Sequence, residues 1–234
     1  MDGIVDFHSH ILPGIDDGSA SVEESIAMLQ LEWSQGIGHV VATPHFYPRY
    51  ETPEDFLRKR DQAESALMAA VQCLNGLPQI HIGAEVYFFR GISETEALPQ
   101  LTIRGKNCIL VEMPPAPWPE SFYQELEAIW HRRGITPVIA HIDRYIAPFR
   151  THGIPQRLQQ LPVLVQANAS FFLRSRTRGM ALKMLRGDQI QLLGSDCHNL
   201  DSRPPMLGAA VQVIEEHLGK PVLDRILAYQ EDVL

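Results

Sequence analysis

Seven short runs of apolar residues recur along the chain, and each is followed by a stretch with helical periodicity. The runs are rich in valine, isoleucine and leucine, which is typical of strands buried on both faces of a sheet. They span Gly3–His8, His39–Thr43, Ile80–Glu85, Cys108–Glu112, Pro137–His141, Val163–Asn168 and Ile190–Ser195. This alternation of strands and helices predicts a parallel sheet with right-handed crossovers.

Start and stop signals place three of the intervening helices. Ser21 begins a capping box, Thr52-Pro53 begins the second helix before Asn75-Gly76, and the third spans Glu120–Arg133. Glycine follows the first and third helices, as expected of helix ends. The predicted inward faces are Val22, Ile26, Leu29 and Trp33 in the first helix and Phe122, Leu126, Ile129 and Trp130 in the third.

The strand and helix units follow one another without a break in composition, which predicts a single domain over residues 1–234. A closed or nearly closed α/β barrel is favoured, because such barrels often have about this length. An open, doubly wound sheet is the competing topology. The proline-rich stretch 114–119 is predicted to be a rigid loop over one end of the barrel.

Composition and charge narrow the possible partners. The formal net charge of −8 argues against a nucleic-acid surface, which needs a basic face. Three cysteines (Cys73, Cys108 and Cys197) are too few for a disulfide scaffold and favour a reducing compartment. No apolar run approaches the roughly 18 residues of a membrane span, so we expect a cytoplasmic protein without membrane insertion.

Imidazole and carboxylate side chains stand at or just beyond the ends of most predicted strands. Because the carboxyl ends of parallel barrel strands share one rim, these side chains are expected to lie together, where barrel active sites form. A metal centre would explain this arrangement, since an unpaired buried carboxylate is costly. The candidates are His8, His10, His45, Glu85, Glu112, His141, Asp196 and His198.

Each of these features alone has an ordinary explanation. An isolated His-x-His pair is more often two polar residues on a half-exposed strand than a ligand pair. Glu85 and Glu112 could each form a salt bridge with an arginine. Their joint occurrence at strand ends favours the metal centre. The other histidines lie at strand beginnings, on helices or in loops and are predicted to be structural or solvated: His39, His81, His131, His152 and His217.

At these positions the sequence resembles the polymerase and histidinol phosphatase (PHP) superfamily. More narrowly, it is similar to the bacterial metal-dependent protein-tyrosine phosphatases of capsular and exopolysaccharide synthesis. The matching stretches, in order, are Asp6-Phe-His8-Ser-His10-Ile-Leu-Pro-Gly-Ile-Asp16-Asp17-Gly18, Ala42-Thr-Pro-His45, Gly83-Ala-Glu85-Val, Leu110-Val-Glu112-Met-Pro, Ala140-His141-Ile-Asp-Arg144-Tyr145, Gln166-Ala-Asn168-Ala and Gly194-Ser-Asp196-Cys-His198-Asn-Leu-Asp-Ser-Arg203-Pro-Pro.

The resemblance implies a distorted (β/α)7, TIM-like barrel, the PHP fold, with three divalent metal ions. It implies one ion on His8, His10, Glu85 and Asp196, a second on Glu85, Glu112 and His141, and a third on Asp17, His45 and His198. Asp16 is the alternative to Asp17. Arg144 and Arg203 match arginines suited to holding phosphate, although each could instead form a surface ion pair. One departure is the Ile-Asp pair before Arg144, where relatives tend to have Pro-Glu.

This ligand set suits Mn²⁺, our first expectation, and also Fe²⁺ or Zn²⁺. The resemblance implies hydrolysis of phosphotyrosine on a membrane-anchored tyrosine autokinase of polysaccharide synthesis. The alternatives are a histidinol-phosphate or other small-molecule phosphatase, and a non-catalytic, metal-stabilised module. Aromatic residues near the rim offer a surface for a peptide-borne ring or are ordinary loop packing: Phe46, Tyr47, Tyr50 and Trp118.

The segment that contains Asp196 and His198 also suggests a second phosphatase mechanism. Cys197 and Arg203 in it have the Cys-x5-Arg spacing of cysteine-dependent tyrosine phosphatases. The intervening residues lack the glycine that such phosphate loops generally use. Cys197 is also flanked by Asp196 and His198 and should point away from both. The sequence therefore favours the metal-dependent mechanism.

Overall fold

The computed structural model describes residues 3–146 and 153–234, so the prediction for His152 lies outside the described residues. Its strands are β1 (Ile4–Ser9), β2 (Ile37–Ala42), β3 (His45–Phe46), β4 (Gln79–Ile82), β5 (Glu85–Tyr87), β6 (Cys108–Glu112), β7 (Thr136–Ile139), β8 (Leu164–Asn168) and β9 (Leu192–Gly194). Its helices are α1 (Val22–Ser34), α2 (Pro53–Val71), α3 (Leu98–Leu101), α4 (Glu120–Arg133), α5 (Asp143–Ile146), α6 (Ile154–Leu158), α7 (Ala169–Leu173), α8 (Ser175–Arg186), α9 (Leu207–Leu218) and α10 (Lys220–Val233), with a short 3₁₀ helix at Ile92–Glu94.

All strand pairs are parallel, and the sheet curls into a distorted barrel. One sheet has the order β1-β2-β4 and the other β3-β5-β6-β7-β8-β9. The two sheets meet where Ser9 bridges to Cys197 and the amide of Asp196 donates to the carbonyl of His8 at 2.7 Å. The predicted α/β barrel is thereby confirmed over an open, doubly wound sheet.

One predicted strand, Ile80–Glu85, is divided, which corrects the sequence analysis, and the chain beside it is interrupted at the same level. The run to Glu85 is interrupted at Gly83, and the run near His39 ends at Ala42 before a short strand at His45. The pairing continues across both interruptions, from Ala42 opposite Ile82 to His45 opposite Glu85. The interruptions remain hydrogen-bonded, because the Gly83 amide donates to Ala42 and the Glu85 amide to Pro44. They lie beside the rim where the polar residues gather.

The apolar core has two layers. Side chains inside the barrel include Val5, Phe7, Val41, Leu110, Val138 and Leu192. A larger layer between the strands and the surrounding helices includes Met28, Phe56, Leu126, Phe172, Leu185 and Ile214. Burial of large side chains in both layers supplies the main favourable free energy of folding. Among the described residues, no helix is long and apolar enough to cross a membrane.

The predicted helix starts are confirmed, but two predicted inward residues are wrong. The Ser21 hydroxyl accepts from the Glu24 amide at 3.2 Å, as expected of an N-cap. Trp33 and Trp130 are exposed instead of inward, at 49% and 42%. The buried residues of α1 are Ser25, Met28, Leu29 and Glu32. Ser25 tolerates burial because its hydroxyl bonds to the Ser21 carbonyl at 3.0 Å and the Ser19 hydroxyl, so the inward face is not the most apolar one.

Candidate metal centre

Glu85 lies at the centre of a cluster of imidazoles at the carboxyl rim of the barrel. Its Oε2 is 2.8 Å from His45 Nδ1, 3.2 Å from His8 Nε2 and 3.4 Å from His10 Nε2. Its Oε1 is 2.7 Å from His141 Nε2. Glu85 is the first residue of β5 and is fully buried, so the sheet itself fixes this carboxylate among four imidazoles.

Asp196 provides a second carboxylate on the other side of the same imidazoles. Its Oδ1 is 3.5 Å from the Nε2 atoms of both His8 and His10. Its Oδ2 accepts from Asn168 Nδ2 at 2.9 Å. The backbone of Asp196 has a φ of 55°, a left-handed conformation that is unusual for a residue with a side chain. Such strain is typical of residues held in place for function.

Asp16 and Asp17 have different surroundings. Asp17 is 68% exposed, and its Oδ1 is 3.4 Å from His198 Nε2 and 3.5 Å from His45 Nε2. Asp16 is largely buried and accepts from His10 Nδ1 at 2.8 Å and from the His45 amide at 2.9 Å. Asp16 therefore orients the imidazoles, while Asp17 offers an oxygen to the cluster.

Gly18 permits this loop to fold against the first strand. A Cβ placed on Gly18 would lie 2.3 Å from the His10 carbonyl oxygen and 2.5 Å from the His10 Cβ. No side chain fits at that distance, so the Asp16-Asp17-Gly18 turn depends on glycine at its last position.

Hydrogen bonds outside the cluster orient three imidazoles so that Nε2 faces inward. His10 Nδ1 donates to Asp16, His8 Nδ1 lies 3.3 Å from Gln166 Oε1, and His198 Nδ1 lies 3.1 Å from the Asp196 carbonyl oxygen. A hydrogen bond at one ring nitrogen leaves the other free as a ligand, which is the usual arrangement around metals. Gln166 also accepts from the His141 amide at 2.6 Å.

Gln166 and Asn168 support the cluster, although their sequence motif alone indicates no role for them. They end β8, which carries no imidazole or carboxylate, and their amides bond to each other at 3.1 Å. Asn168 then bonds to Asp196. The detectable signal was two amide side chains, two residues apart, at the end of an otherwise apolar strand.

Several ligand-type atoms of the cluster are buried without a hydrogen-bond partner among the described residues, including Glu112 Oε2 and His198 Nε2. Within this cluster, three groups have ligand atoms within 4.8 Å of one another and could hold an ion: His10, Asp17, His45 and His198; His8, His10 and Glu85; and His45, Glu85 and Glu112. Imidazole and carboxylate donors without thiolate suit Mn²⁺, Fe²⁺ and Zn²⁺. The residues present therefore fit divalent metal ions.

Two pKa shifts in the cluster favour cation binding, whereas the surrounding carboxylates, against the effect of burial, raise the pKa values of His8 and His10. Burial alone would raise the pKa of Glu85, but His8, His10 and His141 hold it well below its ordinary value. Burial, with the charge of His10, lowers the pKa of His198 to about 4. At neutral pH Glu85 is therefore ionised and His198 is neutral. These are the protonation states in which both side chains bind metal ions.

Both candidate arginines contact the cluster rather than a surface acid. Arg203 Nη2 lies 2.7 Å from Asp196 Oδ1, and Arg144 Nη2 bonds to the other oxygen of the same carboxylate. Arg144 Nη1 is also 3.8 Å from Glu112 Oε1. The side chains of Arg144 and Arg203 are 40% and 36% exposed and border a cavity of about 270 Å³. Arg174, which no motif singled out, lines the same cavity.

Cys197 is placed unlike a nucleophile. It is fully buried on the far side of its segment, where its sulfur lies near the carboxylates of Asp6 and Glu32. Burial and the charges of these two acids raise the pKa of the Cys197 thiol well above its ordinary value. A nucleophilic cysteine requires the thiolate, so this environment disfavours the cysteine mechanism.

The remaining described histidines lie away from this centre. His39 Nδ1 and His81 Nε2 are 3.2 Å apart on neighbouring strands. His131 is exposed on α4, and His217 bonds to the Val213 carbonyl within α9. None of the three ion-binding groups at the centre includes them.

Comparison with known proteins adds independent information. The chain is 30% identical over 231 residues to tyrosine-protein phosphatase CpsB of Streptococcus pneumoniae, covering 92% of this chain and 91% of that protein. It is 28% identical to tyrosine-protein phosphatase YwqE of Bacillus subtilis, covering 92% and 85%.

Solved structures share the fold. A structure from work on YwqE and CpsB, described as metal-dependent tyrosine phosphatases, has a TM-score of 0.82 at 22% identity and covers 99% of this chain and 94% of that one. A lactonase from Listeria monocytogenes has a TM-score of 0.58 at 13% identity and covers 96% of this chain and 91% of that one. This second match shows similarity of fold alone. The model of the family "Capsular polysaccharide synthesis, CpsB/CapC" matches residues 4–233. Since that match spans nearly the whole chain, the protein belongs to the CpsB/CapC family of capsular polysaccharide synthesis.

Proposed function

We propose that this protein is a metal-dependent protein-tyrosine phosphatase of the cytoplasm. Its substrate would be phosphotyrosine on a membrane-anchored tyrosine autokinase of capsular polysaccharide synthesis. The observation that carries the proposal is a buried cluster of imidazoles and carboxylates with two arginines at its edge. The names of the CpsB and YwqE relatives support the same activity. We also propose that residues 1–234 form a single phosphatase domain, since one layer of core side chains extends from α1 to α10.

We propose that the protein binds three divalent ions and that Mn²⁺ is the favoured metal. The ligands would be His8, His10, Asp17, His45, Glu85, Glu112, His141, Asp196 and His198. Bound ions of this kind activate water as a nucleophile and neutralise charge on the phosphoryl oxygens. Glu85 would be shared between ions, because it lies in two of the groups that could hold one. Asp16 and Gln166 would keep the imidazoles of His10 and His8 turned toward the ligand positions.

Arg144 and Arg203 would hold the phosphate. Both guanidinium groups are partly exposed, border one cavity and stay charged at every physiological pH. Each presents paired N–H donors that match phosphoryl oxygens, so both would stabilise the charge that builds up there in the transition state. Asp196 and Asn168 would position these guanidinium groups before substrate arrives, which reduces the entropy lost on binding.

An aryl phosphate is the favoured substrate because of its leaving group. Phenolate leaves from tyrosine with a conjugate-acid pKa near 10, so it departs more easily than an alkoxide. The candidate acids His141 and His198 both face into the cluster, where they would be committed to metal. Histidinol phosphate, which releases an alkoxide, is therefore expected to be a poor substrate.

The test is hydrolysis before and after chelation. EDTA should abolish turnover of p-nitrophenyl phosphate, and Mn²⁺ should restore it. A phosphotyrosyl peptide should exceed histidinol phosphate in kcat/KM by at least about tenfold, equivalent to roughly 1.4 kcal/mol in the barrier. Full activity in the metal-free protein would contradict the mechanism, and equal kcat/KM values would contradict the substrate.

A further inference from the structure

A largely apolar cavity of about 580 Å³ opens beside the metal centre. It is lined by Tyr47, Pro48, Arg49, Tyr50, Tyr87, Phe88 and Phe89. Two of the rim aromatics predicted from the sequence, Phe46 and Trp118, are buried at 1% and 9% exposure and are unavailable to a ligand. The aromatic surface is instead formed by two loops, one after β3 and one at the end of β5.

Two tyrosines form the edge of this cavity that faces the cluster. The Tyr47 hydroxyl lies 3.2 Å from His45 Nδ1, and the two rings stack with centroids 4.9 Å apart. Tyr87 follows Glu85 by two residues in β5, so both side chains lie on the same face of the strand. Tyr87 is also the register partner of Glu112 in β6.

Glu112 lies between this aromatic edge and Arg144. Glu112 lies beside Tyr87 in the paired strands β5 and β6. On its other side, Glu112 Oε1 is 3.8 Å from Arg144 Nη1. A phosphate ester held by Arg144 would therefore lie near Glu112, the residue that borders Tyr87.

We propose that this cavity binds the aryl ring of the phosphate ester, with Tyr47 and Tyr87 as its specificity-determining residues. The inference rests on the proposed phosphatase function and adds the group that distinguishes tyrosine from alkyl substrates. Tyr47 and Tyr87 already lie with ring centroids 5.7 Å apart, within the range of favourable aromatic pairs. A phenyl ring is flat and apolar, so it gains from burial against such walls, whereas a short alkyl ester does not reach them.

The experiment separates ring binding from leaving-group chemistry by using phosphonates, which are not hydrolysed. Inhibition constants for phenylphosphonate and methylphosphonate are measured in the Mn²⁺-loaded enzyme with p-nitrophenyl phosphate as substrate. The unsubstituted protein should bind phenylphosphonate at least fivefold more tightly, about 1 kcal/mol at 1.4 kcal/mol per tenfold. Tyr87→Ala should abolish this preference and change the inhibition constant of methylphosphonate by less than twofold.

Two further variants make the result specific. Tyr87→Phe should restore the preference, because it keeps the ring and removes only the hydroxyl. Trp33→Ala removes an aromatic side chain that is 49% exposed on α1 and should leave both constants unchanged. Two outcomes would overturn the ring site alone, provided that hydrolysis is sensitive to chelation. In the first, Tyr87→Ala weakens the binding of both phosphonates equally. In the second, the unsubstituted protein shows no preference for phenylphosphonate. Absence of metal-dependent hydrolysis would overturn the phosphatase function and the ring site with it.

Discussion

Replacement of Glu85 by glutamine is the most informative single change, since this carboxylate touches four imidazoles. Its two oxygens lie between 2.7 and 3.4 Å from nitrogens of His141, His45, His8 and His10. Glutamine preserves volume and shape but removes the negative charge and replaces one oxygen with an amide nitrogen, which does not bind cations.

The expected magnitude follows from the position of Glu85. Residues that only support metal ligands from outside typically cost 10- to 100-fold in affinity or activity when changed. Glu85 lies inside the cluster and is proposed to contact two ions. Its replacement should therefore reduce activity by at least the largest of these factors. We expect Glu85→Gln to lower kcat/KM at least about 100-fold, equivalent to about 2.7 kcal/mol.

The assay combines kcat/KM for p-nitrophenyl phosphate over a series of Mn²⁺ concentrations with elemental analysis of the dialysed protein. Glu127→Gln is the matched control, because Glu127 also lies near a histidine nitrogen, 3.7 Å from His131 Nε2, but on the exposed surface of α4. It should retain full activity and metal content. A folded Glu85→Gln protein with unchanged metal content and more than a third of the original kcat/KM would refute the central role of this carboxylate.

The other expectations concern four positions. Cys197→Ser should keep activity within about threefold, whereas Arg203→Ala should lose at least about tenfold; an inactive Cys197→Ser protein with normal metal content would favour the cysteine mechanism. Gly18→Ala should destabilise the fold by about 1–3 kcal/mol in urea unfolding, because its Cβ would overlap the His10 backbone; an unchanged midpoint would contradict that overlap. The pKa of His198 is about 4 against an ordinary 6.5, so between these values the unfolded chain binds the proton and the folded chain does not. The metal-free protein should therefore lose stability as pH falls from 6.5 to 4, and the His198→Asn variant should lose less. Urea unfolding midpoints at pH 7 and 4.5 measure both losses. Equal losses would contradict the lowered pKa of His198.

Much of the fold was predictable because strands and helices have different periods. The α4 helix has the predicted bounds, Glu120–Arg133, since a terminal glycine ends it with a φ of 64°. The break at Gly83 could not be predicted, because the backbone hydrogen bonds that replace the ladder there are set by tertiary contacts. Trp33 was misplaced because the inward face of α1 carries polar residues: Ser25 bonds to Ser19 and Ser21, and Glu32 lies near Asp6 and Cys197.

The residue types at the strand ends were sufficient to predict the cluster from the sequence. The contacts that support the cluster could not be predicted in this way. His8 and Glu85 are recognisable as ligand types without knowledge of their neighbours. Gln166 acquires its role only because the fold brings its Oε1 against His8 and the His141 amide. An amide side chain has many ordinary roles at a strand end, so its sequence signal is weak.

The bridge between Ser9 and Cys197, which joins β1 to the segment after β9, has a consequence for biosynthesis. His8 and His10 are synthesised long before the partners that complete their surroundings, Asp196 and the β9 segment. Domains generally fold as units, so a partial chain offers an incoming ion only a fragment of the set. Under the proposed metal assignment, the full ligand set exists only after Asp196 has been made, and a product of translation interrupted before that residue is expected to be inert rather than a partially active hydrolase.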